Sequence, residues 1–225
     1  MSFQNKYKIS LVIGFVLFLS ACSGSVPKIG QLVWQLNFIQ KAENTSYYME
    51  LSVFTMVDDE DGVSDIDKIY IINDESELFW ILDSNSWKMK IISSGNWIGS
   101  NSIRMNDYSN LPTGTYRVLV IDKAGERDSR IFYISSEMEN SISDDLFPKL
   151  VIDDSIQLQS GLPDNTLWVY DDLMEILKKY KIENGKINKS IINNDTSNKA
   201  RWISIYSYDS ELGTGLIKGP YPINN

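Results

Sequence analysis

Six acidic side chains lie within residues 58–67, the densest group of possible metal ligands in the chain. Asp59, Asp61 and Asp65 surround Gly62 with a spacing that is typical of calcium loops, in which oxygen ligands alternate around a tight turn. Carboxylate oxygens are the ligands that calcium prefers. We name residues 58–67 the acidic loop and consider two hypotheses for it, a weak calcium site and a solvated hairpin loop.

The acidic loop departs from the calcium pattern at both ends. The position of the first ligand falls on Val57, and the position that supplies a bidentate glutamate in calcium loops falls on Lys68. We therefore favour the solvated hairpin loop, assign no metal, and expect calcium to change the stability of the protein little. Calcium at Asp59, Asp61 and Asp65 remains the alternative.

Three tryptophans, Trp80, Trp87 and Trp97, could stack on the rings of a sugar if they lie exposed in one plane with Tyr108. The segment 97–100 is interpreted as a loop tip, which would expose its tryptophan. A buried aromatic side chain removes about 150–250 Å² from water, so such residues more often fill a core. Core packing is therefore the expectation, and an exposed glycan-binding platform is the alternative.

The chain contains no histidine. This excludes a Ser-His-Asp triad and histidine-ligated metals, and it removes the commonest general base at neutral pH. The remaining catalytic types, which are carboxylate pairs, Ser/Lys pairs and tyrosine, stand in no recognisable motif. We expect a protein that is not an enzyme and assign no catalytic residue.

The only cysteine, Cys22, follows a segment with the layout of an export signal. Lys6 and Lys8 precede an apolar run over residues 9–19, and small residues follow it. This run of about eleven residues is too short for a helix that spans a bilayer, which needs roughly twenty. The motif Leu19-Ser20-Ala21-Cys22 resembles the lipobox of bacterial lipoproteins.

The lipobox resemblance implies a signal peptide over residues 1–21, a diacylglycerol thioether on the Cys22 sulfur and a short tether over residues 22–31. Stable membrane binding requires two or more acyl chains, and the resemblance implies three. In the alternative reading, Cys22 is an ordinary residue at the end of the signal, and its unpaired thiol would be exported into an oxidising compartment. The expected partner is a membrane of the bacterial cell envelope, to which the lipid anchors the protein on the extracytoplasmic side. No cofactor other than this covalent lipid is expected.

The chain is acidic, with a formal net charge of −9. Removal of residues 1–21 takes away Lys6 and Lys8 and no acid, so the charge becomes −11. A surface of this sign is repelled by nucleic acid and by anionic lipid headgroups. We expect no nucleic-acid partner, and we expect the lipid to make the contact with the membrane.

From residue 32 onward, apolar and polar residues alternate in short runs that end in turn-forming residues, as in half-buried β-strands. Residues 111–126 contain a Pro/Gly turn, an aromatic residue at the start of a strand and an Asp-x-Ala-Gly turn. They resemble the penultimate strand and final hairpin of bacterial immunoglobulin-like and fibronectin-III-like domains. The resemblance implies an antiparallel β-sandwich over residues 32–136 with an edge strand at 130–134. Without a cysteine pair, Trp80 or Trp34 would fill its core.

Residues 137–148 are polar and acidic and are predicted to form a linker. Residues 149–225 are predicted to form a smaller β-rich region with one short helix near residues 171–181, because apolar residues recur there at helical spacing after an acidic cap. Whether this region is a separate domain or completes the first sandwich is left open. The fold class is therefore mainly β, an immunoglobulin-like antiparallel β-sandwich followed by a β-rich region.

These features favour a non-enzymatic envelope lipoprotein that serves as an interaction or structural module for an unknown protein or glycan ligand. The order of the segments and the abundance of Ile, Asn, Lys, Ser and Asp resemble uncharacterised spirochaete-type lipoproteins. A carbohydrate-binding module is the alternative, and two coplanar exposed aromatic rings would indicate it. A carboxylate-based hydrolase is a third hypothesis, which would need two carboxylates that face each other across a deep cleft.

Overall fold

The computed structural model describes residues 24–92, 95–153 and 155–223, and within them the chain is mainly β. In the first half, the strands are β1 (Lys28–Gln40), β2 (Tyr47–Asp58), β3 (Ile66–Asn73), β4 (Leu78–Leu82), β5 (Lys88–Ile92), β6 (Gly95–Ile103), β7 (Gly114–Asp122) and β8 (Arg127–Ile134). In the second half, the elements are α1 (Ser136–Asn140), β9 (Lys149–Ile152), β10 (Ser155–Gln159), β11 (Asp164–Tyr170), β12 (Ile176–Ile182), β13 (Gly185–Asn188), α2 (Lys189–Asp195), β14 (Trp202–Asp209) and β15 (Thr214–Pro222). None of the helices in these residues has the length and apolarity needed to cross a bilayer.

The first half is an antiparallel β-sandwich with the strand order of an immunoglobulin-like domain. Strands β1, β2, β6 and β5 lie side by side in one sheet, and β4, β3, β7 and β8 form the other. This corresponds to the ABED sheet facing a CFG sheet that has one added strand. The mainly β, immunoglobulin-like sandwich predicted from the sequence is confirmed, and β8 is an edge strand as expected.

Aromatic side chains fill the core of this sandwich. Tyr116, at the start of β7, is fully buried, and its hydroxyl donates a hydrogen bond of 2.7 Å to the carbonyl oxygen of Pro112. This is the tyrosine corner of immunoglobulin-like domains. Phe132 stacks on Tyr116 at a centroid distance of 5.3 Å and on Trp34 at 5.0 Å. Trp34 and Trp80 both pack against the core from half-buried positions.

Four strands of the second half extend the first sheet of the sandwich instead of forming a separate sheet. Strand β15 pairs with β1 in parallel, and β14, β11 and β12 follow, which gives one eight-stranded sheet in the order β12-β11-β14-β15-β1-β2-β6-β5. Phe38 of β1 lies opposite Leu216 of β15, and Leu216 lies opposite Ser207 of β14, so buried side chains of both halves share one face.

A second core forms on that same face, where strands β13, β10 and β9 and helix α2 cover the second half of the eight-stranded sheet. Ile156 of β10 and Ile192 of α2 pack with Leu167 and Ile205 of the large sheet. The opposite face of the eight-stranded sheet carries no further layer within the described residues. This uncovered face holds the groove described below.

The helix predicted near residues 171–181 is wrong, because residues 176–182 form β12, which pairs antiparallel with β11. The Oδ1 atom of Asp171 accepts hydrogen bonds from the backbone N–H groups of Leu173 and Glu175, at 3.0 and 2.9 Å, and so closes a hairpin turn. An aspartate caps turns and helix N-termini through the same contact with backbone N–H groups. The sequence alone therefore did not distinguish a hairpin turn from a helix N-terminus. Within residues 149–225, the helix is α2 instead.

Three other segments differ from the sequence-based predictions. The predicted tether, residues 22–31, enters β1 at Lys28, so its last four residues belong to the sheet. The predicted linker, residues 137–148, is packed, because Phe147 is buried in the first core. The predicted loop tip at 97–100 lies within β6. Cys22 and the signal peptide lie outside the described residues.

Candidate functional site

A groove follows the uncovered face of the eight-stranded sheet. It has two connected parts, with volumes of about 440 and 780 Å³, and Glu50, Trp168 and Ile217 line both. Lys88 of β5 and Lys179 of β12 both line the smaller part, although β5 and β12 are opposite edges of the sheet. The sheet therefore curls far enough for its two edges to flank one groove, and the uncovered face is concave.

Amide and hydroxyl groups form the floor of the smaller part. The Gln35 side-chain amide donates to Asn37 Oδ1 at 2.7 Å and to the Tyr206 hydroxyl oxygen at 2.8 Å. The Asn37 amide donates to the Ser52 hydroxyl oxygen at 3.2 Å. These side chains stand on β1, β2 and β14, and β15 separates β14 from β1 in the sheet.

Gly215 of β15 makes this floor possible. A Cβ atom at this position would meet Asn37 Oδ1 and would lie 2.7 Å from both Gln35 Nε2 and a ring carbon of Tyr206. The space above the glycine is therefore occupied by the amide network. A larger residue would force the network apart, because contacts this short require a neighbour to move.

Trp168 lies between two neighbours above this floor. Its ring is parallel to that of Tyr206 within 9°, at a centroid distance of 5.2 Å, and Lys179 Nζ lies 4.6 Å from its centroid. The rings are stacked on each other, so they form one stack and not two coplanar platforms. Burial lowers the pKa of Lys179 from its usual range, and the positive charges of Lys90 and Lys88 lower it further. Lys88 and Lys179, which we name the rim of the groove, therefore come from opposite edges of the sheet close enough to repel each other.

A partly buried ion pair lies where the two parts of the groove meet. Arg104 Nη1 lies 2.8 Å from Glu50 Oε2. Burial raises the pKa of the Glu50 carboxyl above its usual range, and the guanidinium of Arg104 opposes this shift. The same hydrogen bond raises the pKa of Arg104. Among the described residues, Glu50 is the only carboxylate that lines the smaller part, and its charge is balanced by Arg104.

The three tryptophans singled out from the sequence do not form a common surface. Trp80 of β4 is half-buried, and its indole N–H donates to the carbonyl oxygen of Arg104 at 2.9 Å. Trp87 is half-buried against the first core. Trp97 of β6 is 9% exposed and lines a shallow apolar pocket with Phe54. Trp80 and Trp87 therefore pack against the first core, and these three side chains do not form the exposed platform that was the alternative to core packing.

The structure brings together two of the three acids that the alternative hypothesis considered as calcium ligands. Carboxylate oxygens of Asp59 and Asp65 lie close together, and the third member of the cluster is Asp122 of β7. Asp61 is not a member of this cluster, and its Oδ2 atom accepts a hydrogen bond of 2.9 Å from the backbone N–H of Ser25. Asp122 was missed, although the Asp-x-Ala-Gly turn that it opens was recognised.

The groove residues were also missed, although their strands carried a usable signal. Trp168 alternates with the buried residues Leu167 and Val169, and Tyr206 alternates with Ile205 and Ser207. Polar or amphipathic side chains on alternate positions indicate the exposed face of a strand. The sequence could therefore have placed both aromatic rings on an uncovered face, but not on the same face as Gln35.

Comparison with known proteins adds little to this description. The chain matches no family model and no curated protein. Among solved structures it is similar to dimeric latent PorU from Porphyromonas gingivalis, with 10% identity and a TM-score of 0.32. The similarity covers 88% of this chain and 20% of that one, so the chain spans about a fifth of the length of PorU. A likeness at this TM-score supports no conclusion about function.

Proposed function

We propose that this protein is a lipid-anchored, non-enzymatic binding module of the bacterial cell envelope, and that its ligand binds in the groove of the eight-stranded sheet. The motif Leu19-Ser20-Ala21-Cys22 supports the anchor, because it combines a lipobox-like sequence with the only cysteine of the chain. The lack of histidine supports a binding role over a catalytic one.

The observation that carries the binding role is the charge and polarity of the groove. The whole chain has a formal charge of −9, yet Lys88 and Lys179 flank a floor of neutral amides and hydroxyls, and the one carboxylate of the smaller part is paired with Arg104. A local field that opposes the net charge favours a ligand with acidic groups. Uncharged amides and hydroxyls, which both donate and accept, suit a ligand with many hydroxyls.

These two properties together favour an acidic glycan as the ligand. Its hydroxyls would donate to the carbonyl oxygen of the Gln35 amide and to the hydroxyl oxygens of the floor, and its acidic groups would pair with the lysines of the rim. An acidic peptide is the competing ligand. Because a peptide binds most simply by adding a strand to a free sheet edge, a floor of side-chain amides in the middle of a sheet favours the sugar.

Substitution of Lys179 in the rim and of Trp168 in the aromatic stack tests this proposal. We expect Trp168→Ala to weaken the binding of an acidic oligosaccharide at least tenfold, because truncation of a central aromatic anchor costs about 2 kcal/mol or more. We expect Lys179→Gln to weaken it about threefold to tenfold, mainly at low ionic strength, where charges are least screened. Isothermal titration calorimetry at low and physiological ionic strength measures both effects.

The control is Lys186→Gln on β13, because it makes the same change of charge on a strand outside the eight-stranded sheet. Thermal unfolding of each variant separates loss of binding from loss of fold. If Lys179→Gln and Lys186→Gln bind alike, the rim has no part in binding. If acidic peptides bind and acidic sugars do not, the groove belongs to a protein ligand.

A further inference from the structure

Two carboxylates of the acidic loop and one carboxylate of β7 meet at one end of the first sandwich. Asp59 lies in the turn after β2, Asp65 ends the short 3-10 turn before β3, and Asp122 ends β7. One oxygen of each carboxylate lies within 4.8 Å of those of the other two. Since calcium binds oxygen at about 2.3–2.6 Å, two ligands on opposite sides of one ion are about 4.6–5.2 Å apart. The cluster therefore fits a single calcium coordination sphere.

A second, independent observation is that two buried carboxylate oxygens of this cluster have no hydrogen-bond partner among the described residues. Asp122 is only 2% exposed, and its Oδ1 atom accepts a hydrogen bond of 2.8 Å from the backbone N–H of Glu126. Its Oδ2 atom is buried and has no hydrogen-bond partner within the described residues, and the same holds for Oδ2 of Asp59. Buried polar atoms are nearly always paired in folded proteins. Two unpaired carboxylate oxygens in one cluster therefore indicate a cation.

Among the described residues, no lysine or arginine forms an ion pair with this cluster. In the part of the chain that the structure describes, the ion pairs leave out Asp59, Asp65 and Asp122. Lys123 follows Asp122 in sequence, but its ammonium group donates to the carbonyl oxygen of Ser64 at 2.7 Å. Three adjacent carboxylates without a counter-charge repel one another and are costly to bury.

We infer that Asp59, Asp65 and Asp122 bind a calcium ion, with water and backbone carbonyls as further ligands. Calcium is the expected ion because it accepts six to eight oxygen ligands in flexible geometry, whereas magnesium demands near-ideal octahedral geometry and usually keeps several waters. The ion would tie the turn between β2 and β3 to the hairpin between β7 and β8. This inference reverses the preference for a solvated loop, and it does not depend on the groove.

The same ion would also stabilise the segment that leads into β1. The Ser25 hydroxyl donates to Asp59 Oδ1 at 2.9 Å and in turn accepts a hydrogen bond of 3.1 Å from the backbone N–H of Glu60. The position of the Ser25 side chain therefore depends on the position of the Asp59 carboxylate. A calcium ion that fixes this carboxylate would fix the start of the folded body as well.

Calcium titration of the full chain, purified in detergent, tests the site. Calorimetry should give a dissociation constant of about 10⁻⁴–10⁻³ M, the range of extracellular modules. At a calcium concentration ten times this constant, the melting temperature should rise by about 3–6 °C. An equal response to magnesium would contradict the choice of calcium.

The decisive variant is Asp122→Asn, which removes the charge and keeps an oxygen that can accept from Glu126. It should lose the calcium response, and with a chelator present its melting temperature should equal or exceed that of the wild type, because the repulsion is relieved. A purely structural role for Asp122 predicts a lower melting temperature instead. The control Glu60→Gln, in the same loop but outside the cluster, should keep the full response. The inference fails if the wild type binds no calcium or if Asp122→Asn still responds.

Discussion

The variant Cys22→Ala is expected to accumulate as an unprocessed precursor that carries no lipid. The proposed anchor depends on one sulfur atom, because Cys22 is the only cysteine in the chain, and no other side chain can form the thioether. Metabolic labelling with a fatty-acid analogue should therefore fall from strong incorporation to none. Intact mass spectrometry should show that residues 1–21 are retained.

The matched control for this experiment is Ser23→Ala, which changes the neighbouring residue and leaves the thiol in place. It should be labelled and processed like the wild type. Normal labelling of Cys22→Ala would contradict the lipid anchor. Processing of Cys22→Ala at an unchanged site would support the alternative in which Cys22 is an ordinary residue after a cleaved signal.

The variant Gly99→Ala is expected to cost about 3 kcal/mol or more of unfolding free energy, because overpacking against rigid backbone is costly. Gly99 of β6 lies directly opposite Phe54 of β2. A Cβ atom at this position would meet the carbonyl oxygen of Val53 and would lie 2.7 Å from the Cα atom of Phe54. Backbone atoms cannot rotate away as a flexible side chain can, so β6 would have to leave β2.

Urea denaturation of Gly99→Ala measures this cost as a lower midpoint. The control is Gly161→Ala, because a Cβ atom there would meet nothing within 4 Å, and we expect its effect to stay within about 1 kcal/mol. Lys88 lies opposite Gly99 on the other side of β6, so the damage should extend to the rim of the groove. An unchanged midpoint for Gly99→Ala would show that β2 and β6 do not approach each other as described.

The first sandwich could be predicted because its information is local. Its hairpins join strands that follow each other in sequence, and alternation identifies each strand by itself. The Pro/Gly turn before β7 and the Asp-x-Ala-Gly turn after it marked the final hairpin correctly. Strand β6 was missed because Gly95 and Gly99 interrupt its pattern, and both glycines in fact lie against β2 or its side chains.

The groove could not be predicted because it depends on the parallel pairing of β1 with β15, for which the sequence contains no local signal. Gln35 and Tyr206 are 171 residues apart and form a hydrogen bond only because β15 pairs in parallel with β1. Similarly, Lys179 reaches the groove only because residues 176–182 form a strand. A helix over the same residues would have placed Lys178 and Lys179 on adjacent positions of one surface. In β12 they point to opposite faces, and Lys178 instead pairs with Asp195 of α2 at 2.6 Å.

The acidic loop also makes a contact with a residue that is distant in sequence, which spacing alone could not predict. Sequence spacing grouped Asp59 and Asp65 with Asp61 as a weak calcium candidate. The fold supplies Asp122 instead, since β7 lies beside β3 in the second sheet of the sandwich. Proximity in sequence therefore grouped Asp61 with Asp59 and Asp65, whereas the fold brings Asp122 beside them.

The most direct test of the binding role is photo-crosslinking in intact cells. A photo-reactive amino acid in place of Lys179 would sample the groove, and the same amino acid in place of Lys186 would sample the small sheet. We predict an adduct from position 179 alone, one that glycosidase treatment or periodate oxidation removes and that protease digestion of the captured partner leaves unchanged. Equal adducts from both positions, or an adduct from position 179 that consists of protein, would contradict the proposal that the groove binds an acidic glycan.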